Sequence, residues 1–292
     1  MLSPRVEAFY DEVTATVTYV VFDPSTRDAL VIDPVLDYDP ASSETWTASL
    51  DKLEAFLRGE NLKLHFCLET HAHADHLSGA QELKKRFPGV TLAIGDRITE
   101  VQGVFKKIYN LPEDFIPDGR QFDRLLKAGE ILRAGSLEAR VIPTPGHTPA
   151  CVSYLVGDAV FTGDAIFMPD SGTGRCDFPK GSSLALFDSI TTNLFSLPDE
   201  TRLFVGHDYK GGGQREAAWQ TTIGEQKARN IHLKSTTSRE DYVKMRDARD
   251  ATLSAPRLLL PSLQVNIDAG HLPSPEENGM SYIKVPIKPR KV

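Results

Sequence analysis

The chain has 292 residues and a mass of 32.2 kDa, and 33 Lys and Arg against 40 Asp and Glu leave a net charge of −7. That acidic balance excludes a nucleic-acid binder held mainly by phosphate neutralisation, and no stretch approaches the roughly 18 apolar residues of a membrane span. With 40% apolar and 25% charged residues, the composition is that of a folded globular enzyme, able to build a large core without a metal or disulfide staple.

The N-terminal segment has no apolar stretch of signal-peptide type and carries Glu7, Asp11 and Glu12, which a transit peptide avoids. Three scattered cysteines, Cys67, Cys151 and Cys176, form no CxxC pair. Both features point to a reduced, cytoplasmic setting. No repeat, low-complexity tract or Gly/Ser linker divides the chain. Residues 1–292 therefore read as one domain that closes in a C-terminal helix and docked tail over 231–292.

In chain order, β-branched and aromatic residues predict a strand over 14–22, and a short apolar run predicts another over 29–32, ahead of Asp33-Pro34. Apolar residues at helical spacing predict a helix over 44–57, then a strand over 62–68, a helix over 77–87, a strand over 90–94 and a helix over 98–108. Strands follow over 131–133, 137–142, 152–156 and 160–162, a helix over 183–195 and a strand over 202–205. Helices over 214–230 and 238–252 come next, and a Pro-rich loop or tail over 273–292 ends the chain. Strand groups closed by helices suit helices packed outside two stacked sheets. Leu258, Leu259 and Leu260 would dock the tail onto the domain or onto a second subunit of a homodimer, and Lys284, Lys288, Arg290 and Lys291 read as solvated charge.

The histidines cluster at strand ends. Directly after the strand over 62–68 comes Thr70-His71-Ala72-His73-Ala74-Asp75-His76, three imidazoles and a carboxylate within six residues. Such crowding supplies the nitrogen and oxygen donors that a borderline transition metal requires, and would otherwise leave costly polar groups at one strand end. Three more strand ends repeat the pattern with Gly146-His147, Gly163-Asp164 and Gly206-His207. His65, His232 and His271 lie outside any such spacing and read as structural.

The set His71, His73, Asp75, His76, His147, Asp164 and His207 resembles the signature of the metallo-β-lactamase fold superfamily. The resemblance implies an αββα sandwich, with C-terminal helices and a tail, and a metal site along one edge of its two sheets. With seven donors intact, one implied chemistry is a dinuclear zinc hydrolase of glutathione thioesters, of glyoxalase II type. Asp164 would bridge a metal on His71, His73 and His147 to another on Asp75, His76 and His207.

A second resemblance is more specific. Gly172-Thr173-Gly174-Arg175-Cys176-Asp177-Phe178-Pro179 and His207-Asp208-Tyr209-Lys210 resemble the persulfide dioxygenase (sulfur dioxygenase) family. That resemblance implies one iron(II) per chain, held by His71, His147 and Asp164, and oxidation of glutathione persulfide with O2 to sulfite and glutathione. His73, Asp75, His76 and His207 would then orient those ligands or hold a second metal. Two histidines and one carboxylate leave coordination positions open for substrate and dioxygen, as a closed four-ligand zinc site does not.

Glutathione carries two carboxylates, so an acidic protein needs local cations to hold it. Arg175 and Arg215 are the candidate carboxylate contacts, and Tyr209 would direct its hydroxyl toward the substrate. Cys176 reads as a packed thiol rather than a sulfur acceptor. A thiol or sulfide sensor that has kept the fold is the non-catalytic alternative.

Overall fold

The β-branched and aromatic runs of the sequence become strands that pair into two six-stranded sheets. The computed structural model describes residues 3–287. Its first half contains β1 (Arg5–Tyr10), β2 (Val17–Phe22), β3 (Asp28–Ile32), β4 (Val35–Asp39), β5 (Glu44–Trp46), α1 (Ala48–Gly59), β6 (Lys63–Leu68), β7 (Leu77–Ser78), α2 (Ala80–Arg86), β8 (Thr91–Gly95), α3 (Ile98–Tyr109) and β9 (Arg124–Leu126). The second half contains β10 (Ile131–Ala134), β11 (Leu137–Pro143), β12 (Val152–Val156), β13 (Ala159–Phe161), α4 (Ser183–Asp188), a π-helical turn (Ser189–Leu194), β14 (Arg202–Phe204), α5 (Lys210–Gly213), β15 (Gln220–Thr222), α6 (Ile223–Arg229), α7 (Arg239–Asp250) and α8 (Leu259–Asn266).

One sheet runs β1-β2-β3-β6-β8-β9 and the other β10-β11-β12-β13-β14-β15, with β5-β4-β7 as a small third sheet. Residues of opposite parity face opposite layers. Tyr19, Val21, Leu30 and Ile32 meet Leu132, Tyr154, Phe161 and Phe204 of the second sheet. Val20, Phe22, Ala29 and Val31 pack beneath the helices with Leu50, Leu53, Leu83 and Phe105. On the far side, Val160 and Leu203 pack with Leu186, Ile190, Ile223 and Tyr242. The result is the αββα order expected from the sequence. Tyr19, Phe161 and Phe204 form a buried aromatic group with centroids 5.0–5.5 Å apart. Each such side chain contributes about 1.5–3 kcal/mol through burial.

Several element boundaries differ from the sequence reading. The helix over 214–230 is absent from most of that span. Gly211, Gly212 and Gly213 take positive φ, which ends α5, and the β-branched pair Thr221-Thr222 extends the second sheet against β14 before α6 begins. The helix over 44–57 starts only at Ala48, since Glu44–Trp46 pairs with β4, and the helix over 77–87 starts at Ala80 because Leu77–Ser78 also pairs with β4. The helix over 183–195 changes to π geometry at Ser189, where Ser189 donates to Pro145 O (2.7 Å) and Asn193 to Pro143 O (2.8 Å). Residues 5–10, given no element from sequence, pair along the full length of β2.

Leu259 and Leu260 lie in α8, packed against the first core. In the tail, Lys284 donates to Asn110 O at 2.9 Å; Lys288, Arg290 and Lys291 lie outside the described residues.

Candidate metal centre

The strand ends that carry the polar breaks meet on one edge of the sandwich, and strand direction is the reason. β3 and β6 are parallel, as are β13 and β14, while β11 and β13 each run antiparallel to β12 and so share a direction. Asp33, residues 69–76, His147, Asp164 and His207 therefore follow strands that end on the same side. The two sheets are joined there by main-chain bonds from Val17 N to Gly206 O (2.9 Å) and from Asp208 N to Ala15 O (3.0 Å). Tyr19 adds a third tie, its hydroxyl donating to Val205 O at 2.6 Å.

Ligand-type atoms of His71, His147 and Asp164 lie within 4.8 Å of one another, and all three residues are buried. Asp164 Oδ2 stands 3.9 Å from His71 Nε2 and 3.5 Å from His147 Nε2. Hydrogen bonds on the far side of each ring set its tautomer. His147 Nδ1 faces Arg175 O at 2.7 Å, and a carbonyl can only accept, so Nδ1 carries the proton and Nε2 offers a lone pair. The Thr70 hydroxyl donates to Asp33 Oδ2 (2.8 Å) and accepts from His71 Nδ1 (3.0 Å), with the same consequence for His71. Burial, then the neighbouring His73 and His147, hold His71 well below the ordinary imidazole value, which favours the neutral, ligating form.

A second group consists of Asp75, His76 and His207. Asp75 Oδ2 lies 3.2 Å from His76 Nδ1 and 3.3 Å from His207 Nε2, and His207 Nε2 lies 3.2 Å from Asp164 Oδ1. The Thr16 hydroxyl sits among Asp75, His76 and His207 at 3.3–3.4 Å. Burial opposes a charge on His207, but Asp75 and Asp164 outweigh it and raise its pKa. Among the described residues, Nε2 of His71, His76 and His207, both ring nitrogens of His73, Oδ1 of Asp164 and Oε2 of Glu69 are buried at this edge without a hydrogen-bond partner. Buried polar atoms rarely stay unpaired, and a transition-metal ion is what this donor set fits.

His73 is placed differently. Its Nε2 stands 3.0 Å from Asp33 Oδ1 and 3.4 Å from Glu69 Oε2, all three residues being buried. Burial disfavours charge on His73, yet these two carboxylates raise its pKa well above the ordinary value. The same crowding has opposite effects on the acids. Burial pushes Glu69 up to about 7, while His73 and Thr70 overcome burial to keep Asp33 low.

The loop over 172–179 wraps His147. Arg175 supplies the carbonyl that fixes its tautomer, and Phe178 packs edge-on at 4.9 Å between ring centroids. A Cβ on Gly174 would fall 1.9 Å from Asp164 O, so only glycine permits this approach. Buried Arg246 and Asp250 of α7 hold the loop from below. Arg246 donates to Thr173 O (3.1 Å) and to Asp250 Oδ1 (2.5 Å), and Asp250 Oδ2 accepts from Cys176 N (2.8 Å). The Cys176 thiol is buried and pushed up by burial, as is that of Cys67, and Cys151 rises to about 12.

Of the other candidates, Arg175 forms a bidentate pair with Asp177 at 2.6 Å and donates to Ser254 O at 2.8 Å. Arg215 is shared by Asp170 and Asp208, with four contacts of 2.7–2.8 Å. Tyr209 stacks 6.0 Å from His207 and is 53% exposed.

Asp33, Glu69, Thr16 and Asn266 were not singled out from sequence. Asp33 did carry a signal, a carboxylate directly after a buried strand. Asn266 carried none, lying in the apolar α8, yet its Nδ2 donates to both His73 O and His76 O at 2.8 Å, and its Oδ1 accepts from Ser78 N at 2.8 Å.

A profile described as the metallo-beta-lactamase superfamily matches residues 11–207. A probable metallo-hydrolase of Burkholderia pseudomallei is 47% identical over 97% of this chain and 98% of its own length. Glyoxylase B2 of Dictyostelium discoideum is also 47% identical, over 97% of each chain. The human mitochondrial persulfide dioxygenase ETHE1 is 29% identical over 81% of this chain and 78% of its own. Among solved structures, ETHE1 from Myxococcus xanthus superposes with a TM-score of 0.72 at 31% identity, covering 91% of this chain and 100% of that one.

Proposed function

The chain belongs to the metallo-beta-lactamase superfamily, and from that premise we propose that this metal-dependent enzyme is a mononuclear iron(II) persulfide dioxygenase. The proposed reaction converts glutathione persulfide, O2 and H2O to glutathione, sulfite and two protons. The observation that carries the reading is the position of His73. His73 Nε2 stands nearest Asp33 Oδ1 and Glu69 Oε2, which sets His73 apart from the group formed by His71, His147 and Asp164. His71, His147 and Asp164 remain, a two-histidine, one-carboxylate set that suits non-haem iron(II).

When bound, iron(II) supplies redox chemistry and open coordination positions. The chain's own residues do the rest. Thr70 and Arg175 O keep His71 and His147 in the ligating tautomer. Asp164 provides negative charge at the centre, and the half-buried Phe178, edge-on to His147, with the buried Gly172–Gly174 stretch of its loop limits water on the His147 side. His207 and Asp75, within 3.3 Å of each other beside Asp164, can hold or move a proton next to the reacting sulfur. Tyr209 faces the substrate, and Arg175 and Arg215 act through the loops they brace.

A specific observation favours a second reading, a dinuclear zinc hydrolase of glyoxalase II type. Unpartnered nitrogens on His76 and His207 sit beside Asp75, and His73, Asp75 and His207 also bring ligand-type atoms within 4.8 Å. The hydrolase and glyoxylase names of the 47% relatives point the same way. Metal analysis of anaerobically purified protein separates the two. One iron per chain with oxygen uptake that depends on glutathione persulfide is expected. Two zinc ions with thioester hydrolysis and no oxygen uptake would overturn the dioxygenase reading.

A further inference from the structure

A cavity of about 400 Å³ opens beside the second donor group, its wall including Tyr38, Asp39, Trp46, Asp75, Tyr209 and Arg257. Asp75 ties the floor of this cavity to the metal centre, since its carboxylate lies 3.3 Å from His207 Nε2. The volume suits a small peptide-like ligand, within the usual 300–1,000 Å³ range of such sites. Trp46 and Tyr209, 44% and 53% exposed, both present their rings to this cavity and offer it stacking surface.

The charges here are arranged unlike those elsewhere around the centre. Arg175 and Arg215 are saturated by carboxylates of the chain itself. Among the described residues, Arg257 has no ion-pair partner within 4.0 Å, so its fork of donors is open to the cavity. Asp39 shares the wall with it. Hydrogen bonds from Ala41 and Ser42, and more weakly the Arg257 charge, hold the Asp39 carboxyl below the usual carboxylate range. A cation, an anion and two aromatic rings lining one cavity suit a ligand that carries both an ammonium and a carboxylate.

Resting on the persulfide dioxygenase reading, we propose that this cavity reads the γ-glutamyl end of the substrate. Arg257 pairs with the α-carboxylate, Asp39 with the α-ammonium, and Trp46 and Tyr209 flank the peptide, so that the sulfur end points past Asp75 to the metal centre. Arg257 thereby determines specificity without entering the chemistry. An Arg fork is built for bidentate capture of a carboxylate, and losing one such charge-assisted contact weakens binding about tenfold.

The test is titration of the metal-loaded protein with reduced glutathione and, separately, with cysteinylglycine, which lacks the γ-glutamyl group. Arg257→Ala should weaken glutathione binding about tenfold and Arg257→Glu further, Arg257→Lys should recover part of the loss, and none should change cysteinylglycine binding or metal content. Unchanged glutathione affinity in Arg257→Ala, or equal weakening of both ligands, overturns the proposal. Oxygen uptake by the wild type is scored independently. Its absence would overturn the dioxygenase reading, while the two binding series still decide the role of Arg257.

Discussion

His73 Nε2 lies 3.0 Å from Asp33 Oδ1, a buried contact between the end of β3 and the histidine loop that follows β6. The pair makes two neighbouring histidines of one motif chemically unequal. His71 Nε2 faces Asp164, whereas His73 Nε2 faces Asp33 and Glu69. His71→Ala should therefore abolish metal binding, while His73→Ala should keep one metal per chain and lose stability. Removing the imidazole leaves the buried Asp33 and Glu69 carboxyls without the ring that faces them, at about 1–3 kcal/mol each. Metal content and urea unfolding of both variants check this, and equal metal loss in the two would sink it.

Asn266 clamps the same loop from α8. Replacing it with Ala leaves two carbonyls and one N–H buried without partners, at about 1–3 kcal/mol each. Metal affinity measured by chelator competition should fall about 10–100-fold, the usual effect of removing a group that orients ligands. An Asn266→Ala protein that binds metal like the wild type would show that α8 only packs against the loop.

Gly174→Ala places a methyl group against Asp164 O, in a space that no rotamer change can open because the obstacle is main chain. The carboxylate of Asp164 should move with its backbone. The expected outcome is loss of metal with the fold retained, read by elemental analysis beside circular dichroism. Gly59→Ala, where nothing lies within 4 Å of the added Cβ, is the matched control and should leave metal content unchanged.

His232 makes a prediction about pH. Burial first, then Arg246 and Arg249, hold its pKa down at about 4, and its Nδ1 accepts from Thr173 N at 3.0 Å. The unfolded chain takes up this proton near the ordinary imidazole value of about 6.5, before the folded chain does. Its stabilising contribution is thus complete above pH 6.5 and is lost as pH falls toward 4. Allowing for its partial exposure, about 1–2 kcal/mol is at stake. Unfolding free energies of wild type and His232→Gln, measured from pH 7 to 4, should converge on acidification. Parallel curves would show that His232 does not titrate in this window.

The donor set was legible because ligand type, strand ends and short spacings are all local properties. An apolar strand followed by His71, His73, Asp75 and His76 has to end in a polar cluster. His147, Asp164 and His207 repeat that local signal, and the order of strand groups closed by helices pointed to helices outside two stacked sheets. What failed was also physical. A period of 3.6 across 214–230 predicted a helix, but the pairing partner that β14 offers to Gln220–Thr222 prevailed over local periodicity, and only Ile223–Arg229 is helical.

By itself the sequence determined which atoms could bind a metal and that two layers of strands would carry them, since both follow from side-chain chemistry and periodicity. Only the tertiary structure decided how those donors divide. Asp33, Thr70 and Arg175 O turn His71 and His147 toward Asp164, Glu69 and Asp33 draw His73 away, and Asn266, 193 residues from His73, fixes the loop between them. The reason is that a tautomer or a protonation state is set by what faces the far side of the ring. In this fold those groups arrive from other strands and from the C-terminal helix.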